Sequence, residues 1–182
     1  MQIKALLLAP LAAAGIVSAA PSKPVNFEVL ALRSASDIHF QPLQAARGGF
    51  YLRLPNQKAV CAAKSDNSVT LQLIDGELQL YKSSGTRQRV FVDRSGMGQG
   101  VLRYTSGDGL PRNGERKSWK INSNGDLTFN GAGLIACPHA ISNSWTVWVN
   151  AGNANPGGNK DCVPFTARTI KTAKPNSCKY TE

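Results

Sequence analysis

The stretch GAGLIACPHAISNSWTVW, residues 131–148, sets Cys137 two positions before His139, one of two histidines in the chain. In an extended segment these side chains share a face, the arrangement of a thiol and its base. A cysteine nucleophile also needs a free thiolate and a group that orients the base. Pro138 interrupts strand pairing between the two, and no local Asn or Asp signature accompanies them. The four cysteines, Cys61, Cys137, Cys162 and Cys178, are an even set, which in an oxidising compartment favours two disulfides. Three pairings are open. The preferred one joins Cys137 to Cys162 and Cys61 to Cys178, although spacing does not settle connectivity. A zinc site is disfavoured because no C-x-x-C pair exists and the histidines are far apart.

His39, in SDIHFQPL, lies two residues from Asp37, so an extended strand would let the carboxylate orient the imidazole. A small basic ribonuclease-like hydrolase would need an acid and a base around a cationic clamp, and His39, His139, Glu77 and several arginines supply the residue types. No local motif assembles them. Nucleophile elbows, phosphate-binding glycine loops and metal-binding helices are absent from the sequence. The expectation is a protein without catalytic residues, cofactor or metal, with the secreted hydrolase and a host-directed effector as alternatives.

MQIKALLLAPLAAAGIVSAA has one lysine, an apolar run and small residues, the layout of a secretory leader. Cleavage after Ala19 is preferred, because the alternative leaves Pro21 at the cut. Residues 1–19 are thus read as signal peptide and 20–182 as one disulfide-containing domain, about 163 residues, enough to bury roughly 70% of the unfolded surface. No other run is apolar for long enough to span a bilayer. Losing Lys4 with the leader takes one cation from the 21 Lys and Arg that face 11 Asp and Glu, leaving about +9. Such a field favours anionic polymers.

The excess concentrates in residues 82–120, where Lys82, Arg87, Arg89, Arg94, Arg103, Arg112, Arg116, Lys117 and Lys120 outnumber Asp93, Asp108 and Glu115. This segment is the expected polyanion-facing surface, although a charge run also serves as an ordinary solvated strand face. Trp148, Tyr104 and Tyr81 are the candidates for stacking on sugars. In WTVWV, Trp145 shares a face with Val147 and Val149, which leaves Trp148 on the other side with Thr146.

The elements that must position these residues are strands. Period-two runs bounded by Gly, Asn, Asp and Ser predict strands at 25–32, 38–41, 50–54, 59–63, 69–74, 77–81, 89–93, 101–105, 118–122, 126–130, 134–137, 145–150 and 162–170. LQLIDGELQLY and WKINSNGDLTF place Asp75-Gly76 and Asn124-Gly125 where tight hairpins need positive φ. A gapless alignment at an offset of 76 sets Gly49 on Gly125, Cys61 on Cys137, Thr70 on Thr146 and Leu73 on Val149. Read as two units of about 38 residues, it suggests three units. The expected fold is therefore all-β, a single compact domain resembling a β-trefoil or related closed barrel of about 12 short strands, with a β-sandwich as the alternative.

IHFQPLQAARGGFYL (38–52), GQGVLRYT (98–105), GAGLIACP (131–138) with the tryptophan run behind it, DCVPFTA (161–167) and the final CKYTE follow a leader ending SAAP. In this order they resemble the fungal phialide-associated cell-wall protein family, PhiA-like secreted proteins, across nearly the whole chain after the leader. The resemblance implies a secreted, disulfide-containing wall protein associated with conidium-producing cells, recognisable as an allergen and without established catalysis. Its implied partners are wall polysaccharides or other anionic surface polymers, with nucleic acid a disfavoured partner.

Overall fold

In VNFEVLAL, Phe27, Val29 and Ala31 fall on one side of a pleated strand. In the computed structural model, which describes residues 23–182, these three are buried in β1 (Val25–Leu32) while the residues between them are only half-buried. The leader assigned to residues 1–19 lies outside the described residues.

β1 pairs on one side with β13 (Val163–Lys171), from Phe27↔Lys171 to Leu32↔Thr166, and on the other with β5 (Leu71–Ile74). From β5 the sheet continues through β6 (Glu77–Leu80), β7 (Gln88–Asp93) and β8 (Val101–Ser106), all antiparallel. β8 meets β3 (Gly49–Leu52) at Gly49↔Arg103, and β3 pairs with β12 (Trp145–Val149). β12 then pairs with β11 (Leu134–Cys137), which returns to β13. The result is a closed barrel of nine antiparallel strands. Short elements lie outside the ring: β2 (Gln44–Ala46) on β3, a ribbon of β4 (Val60–Cys61) with β14 (Cys178–Lys179), and a hairpin of β9 (Trp119–Ile121) with β10 (Leu127–Phe129).

Inward-facing side chains fill the barrel, as expected for a small one. Phe27, Leu52, Leu71, Leu80, Val90 and Val149 are among those with almost no exposed surface. One end is stopped by the β9–β10 hairpin, where Trp119 packs edge-on against Phe129 with ring centroids 5.0 Å apart. The hairpin is tied down by the Trp119 N–H donating to the Gly76 carbonyl at 3.0 Å and by Arg168 Nε donating to Asp126 at 2.7 Å. The other end is stopped by the last residues of the chain. Gln88, buried at the start of β7, accepts from the Tyr180 N–H at 2.8 Å and donates to the Tyr180 carbonyl at 2.9 Å and to Glu182 at 2.8 Å.

Turn chemistry explains two hairpins differently. Asp75 and Gly76 both hold positive φ, 48° and 79°, which suits a two-residue connection between twisted strands. At 122–126 only Gly125 is left-handed, at φ 83°. The Asn122 side chain accepts from the N–H groups of Asn124 and Asp126, building a longer loop in place of a tight turn.

The expected strand at 38–41 is a turn. Ile38 is fully buried, whereas Phe40, which alternation would put beside it, is 62% exposed. Its left-handed backbone, φ 59°, turns the ring outward. β2 and β14 were not among the expected strands: QAA has no β-branched residue, and β14 is two residues long. Cys61 lies in the β4–β14 ribbon and Cys137 in the barrel wall, so the aligned cysteines occupy different settings.

Candidate functional site

Cys137 is bonded to Cys162 and Cys61 to Cys178, and the described residues contain no free cysteine. No thiolate is therefore available at Cys137. His139 is exposed in the turn after β11, with φ 62°. His39 accepts through Nδ1 from the Arg33 N–H at 3.1 Å, while Asp37 pairs with Arg53 at 2.9 Å. The turn at 38–41 has removed the strand geometry that would have aligned Asp37 with the imidazole. Glu77, on β6, is ion-paired to Arg89. Hydrogen bonds and ion pairs of the described residues join none of His39, His139 and Glu77 to another, and no group of three or more His, Cys, Asp or Glu among those residues is arranged to hold a metal.

The nine basic residues of 82–120 divide into two sets. Arg89 is bound to Glu77 and Asp108, and Arg94 grips Glu115 through Nε at 2.9 Å and Nη2 at 2.6 Å. The Arg94 guanidinium also lies 5.2 Å from the Phe129 ring centroid. The hydrogen bonds from Arg94 hold the Glu115 carboxyl below the usual glutamate range. Arg116 donates to the carbonyls of Asp108 at 3.1 Å and Gly109 at 2.6 Å, holding the loop after β8. Its burial and the neighbouring Arg89 lower its proton affinity.

Lys82, Arg87, Arg103, Arg112, Lys117 and Lys120 take part in none of the five ion pairs of the described residues. All but the half-buried Lys82 are exposed. They are spread over the barrel. Arg103 projects from β8 beside β3, Lys82 and Arg87 bracket the β6–β7 connection, and Lys117 and Lys120 flank the Trp119 hairpin. Along the outer face of β6, shallow clefts of about 320 and 280 Å³ share Gln79, Arg87 and Arg89. Here Glu77 and Asp108 offset much of the positive charge.

The aromatic candidates are placed differently from expectation. Tyr104 is a correction: it is 2% exposed and points into the barrel, where its hydroxyl donates to the Thr181 carbonyl at 2.5 Å. Burial pushes its proton affinity well above that of an ordinary tyrosine. Exposed Arg103 is the signal that could have shown this, because its neighbours Leu102 and Tyr104 must then face inward. Tyr81 is half-buried. Trp148 faces outward but lies beneath the 3-10 turn Pro156–Gly158, where a Cβ on Gly157 would sit 2.6 Å from the indole ring. The Cys137–Cys162 bond tethers the loop that carries this turn. The exposed aromatic ring among the described residues is instead Phe40, against His39 at 3.9 Å between ring centroids, a residue that was not among the stacking candidates.

These features define a disulfide-stapled, closed antiparallel barrel with a packed interior and its cations dispersed over the outside. The chain belongs to the PhiA-like secreted protein family, whose sequence model matches residues 27–181. It is similar to the "Cell wall protein phiA" of Aspergillus fumigatus, 46% identical over 185 residues and covering 100% of both chains. The same is true of the "Cell wall protein phiA" of Emericella nidulans, 46% identical over 175 residues with 95% of this chain and 94% of the relative covered. A third relative of that name, from Arthroderma benhamiae, is 43% identical over 189 residues, with 100% of both chains covered. No solved structure matches the chain. The protein is a fungal cell-wall protein, secreted and residing outside the cell or in its wall. Among the described residues no helix is long and apolar enough to cross a membrane.

Proposed function

We propose that this wall protein is non-enzymatic and is retained in the wall by anionic polymers that its dispersed cations engage. The observation that carries this reading is that six basic residues of 82–120, Lys82, Arg87, Arg103, Arg112, Lys117 and Lys120, are held neither in an ion pair of the described residues nor, as Arg116 is, by backbone carbonyls. A single exposed charge contributes little, but several acting on one polymer add, and their attraction falls as the screening length shrinks to about 3 Å at 1 M salt. The spread of the six around the barrel suits contact with several strands of a mesh better than capture of one short ligand.

The test is retention of the purified protein on isolated wall material, from low salt to 1 M. Binding should be strong at low salt, fade as salt rises, and weaken when the six residues are changed to glutamine. No retention at low salt overturns the proposal. RNA degradation by the pure protein, lost on His39→Ala or His139→Ala, would establish the hydrolase in its place. The association with conidium-producing cells implied by the family resemblance belongs to the same proposal, and localisation of the tagged protein in developing cultures tests it. So does a secreted chain of residues 20–182 with both cysteine pairs oxidised, which the mass of the exported protein reads directly.

A further inference from the structure

In an extended strand Ile38 and Phe40 would point the same way. Here the chain buries Ile38 completely and turns Phe40 out by placing it at φ 59°, a conformation that bulky L-residues adopt rarely and at a cost. The turn is held on both sides: the Phe40 N–H donates to the Ala31 carbonyl at 2.8 Å and the Ala31 N–H to the Gln41 carbonyl at 2.9 Å. The outcome is a ring 62% exposed, backed by the His39 imidazole at a 34° tilt. Because His39 Nδ1 accepts from Arg33, the neutral ring carries its proton on Nε2, where it remains a donor beside the Phe40 face. The Asp37–Arg53 pair, with both side chains exposed, lies in and beside the same turn.

From this geometry we infer that Phe40 and His39 form a stacking platform for a pyranose unit of a neutral wall polysaccharide. The free, electron-rich face of the Phe40 ring, opposite the imidazole that backs it, takes the C–H face of the sugar, and the exposed Asp37–Arg53 pair takes its hydroxyls. A sugar fits better than a protein partner. Among the described residues the other exposed large apolar side chains are Val60, Met97, Leu110 and Ile170, none of which belongs to the turn that carries Phe40, whereas that turn does hold the polar His39 and Asp37 that a sugar's hydroxyls would need. The inference rests on the wall-binding reading, but concerns the part of binding that salt does not screen.

The experiment compares wild type, Phe40→Gly, Phe40→Trp and the six-glutamine charge variant on insoluble β-glucan and chitin at 1 M salt, and on whole wall at low salt. Thermal unfolding of each is measured alongside. Glycine accepts the left-handed backbone without strain, so Phe40→Gly should melt at or above the wild-type temperature while its affinity for the neutral polymer falls about three- to tenfold. Phe40→Trp and the charge variant should keep high-salt binding. A wild type that binds neither neutral polymer at 1 M salt, or a Phe40→Gly variant that binds as wild type does, overturns the inference. So does a large drop in the melting temperature of Phe40→Gly, which would make the ring a structural element. The low-salt arm reads the electrostatic proposal separately, because loss of the Phe40 ring leaves the six cations in place.

Discussion

Removing the two disulfides one at a time should destabilise the barrel unequally. Cys61–Cys178 closes a span of 117 residues and Cys137–Cys162 a span of 25. In the chain-entropy account the first link is worth about 4.9 kcal/mol and the second about 3.5 kcal/mol, a difference of about tenfold in the folding constant. Each pair has one half in a buried position, Cys178 and Cys137, so the small cavities left by alanine roughly cancel in the comparison. The assay is urea unfolding of the Cys61→Ala/Cys178→Ala and Cys137→Ala/Cys162→Ala proteins, followed by far-UV circular dichroism and tryptophan emission. The first variant should lose more stability with both probes moving together. In the second, emission should change at lower urea than the dichroism, because the loop over Trp148 is then anchored only by its own contacts. A second variant less stable than the first, or no measurable loss in either, refutes the reasoning.

Gly157→Ala should cost about 1–3 kcal/mol and shift tryptophan emission, since the added methyl meets the Trp148 ring at 2.6 Å and the backbone is at φ 65°. Gln88→Leu should cost about 2–4 kcal/mol, because it leaves the Tyr180 N–H and carbonyl without partners, and hydrogen exchange at Tyr180 should speed up. Glu28, whose proton affinity is raised by burial and by the charge of Asp66, holds its proton to higher pH in the folded chain than in the unfolded one. Its contribution therefore falls as pH rises from the usual glutamate value of 4.5 through the folded pKa. Glu28→Gln should match wild type in melting temperature below pH 4.5 and exceed it increasingly above.

Much of the barrel was legible because its strands alternate cleanly and are separated by turn residues with one dominant conformation. β1 and β11 begin and end where the pattern says, and Asp75-Gly76 turns as that dipeptide should. Legibility ended where tertiary contacts overruled a local preference. Ile38 finds a buried seat at the barrel end, and the chain accepts a left-handed Phe40 to return to β1. The 82–120 segment reads as one basic run but visits β7, β8, the loop after it and the hairpin at the far end, so its cations disperse. Which of them are neutralised depends on carboxylates brought in by register, such as Glu77 opposite the end of β5 or Glu115 bridged to Val92. Nothing in local spacing announces those partners.

Closing the nine-strand ring through β11 and β12 has a bearing on life in a crowded matrix. A protein concentrated in a polymer network meets copies of itself continually, and an open sheet would offer each of them a row of unsatisfied amides to zip onto. Here the main sheet has spent those amides on itself. Around the ring a neighbouring molecule meets side chains, and strand edges are left only to the short elements outside it, β2, the β4–β14 ribbon and the β9–β10 hairpin, each of three residues or fewer per strand.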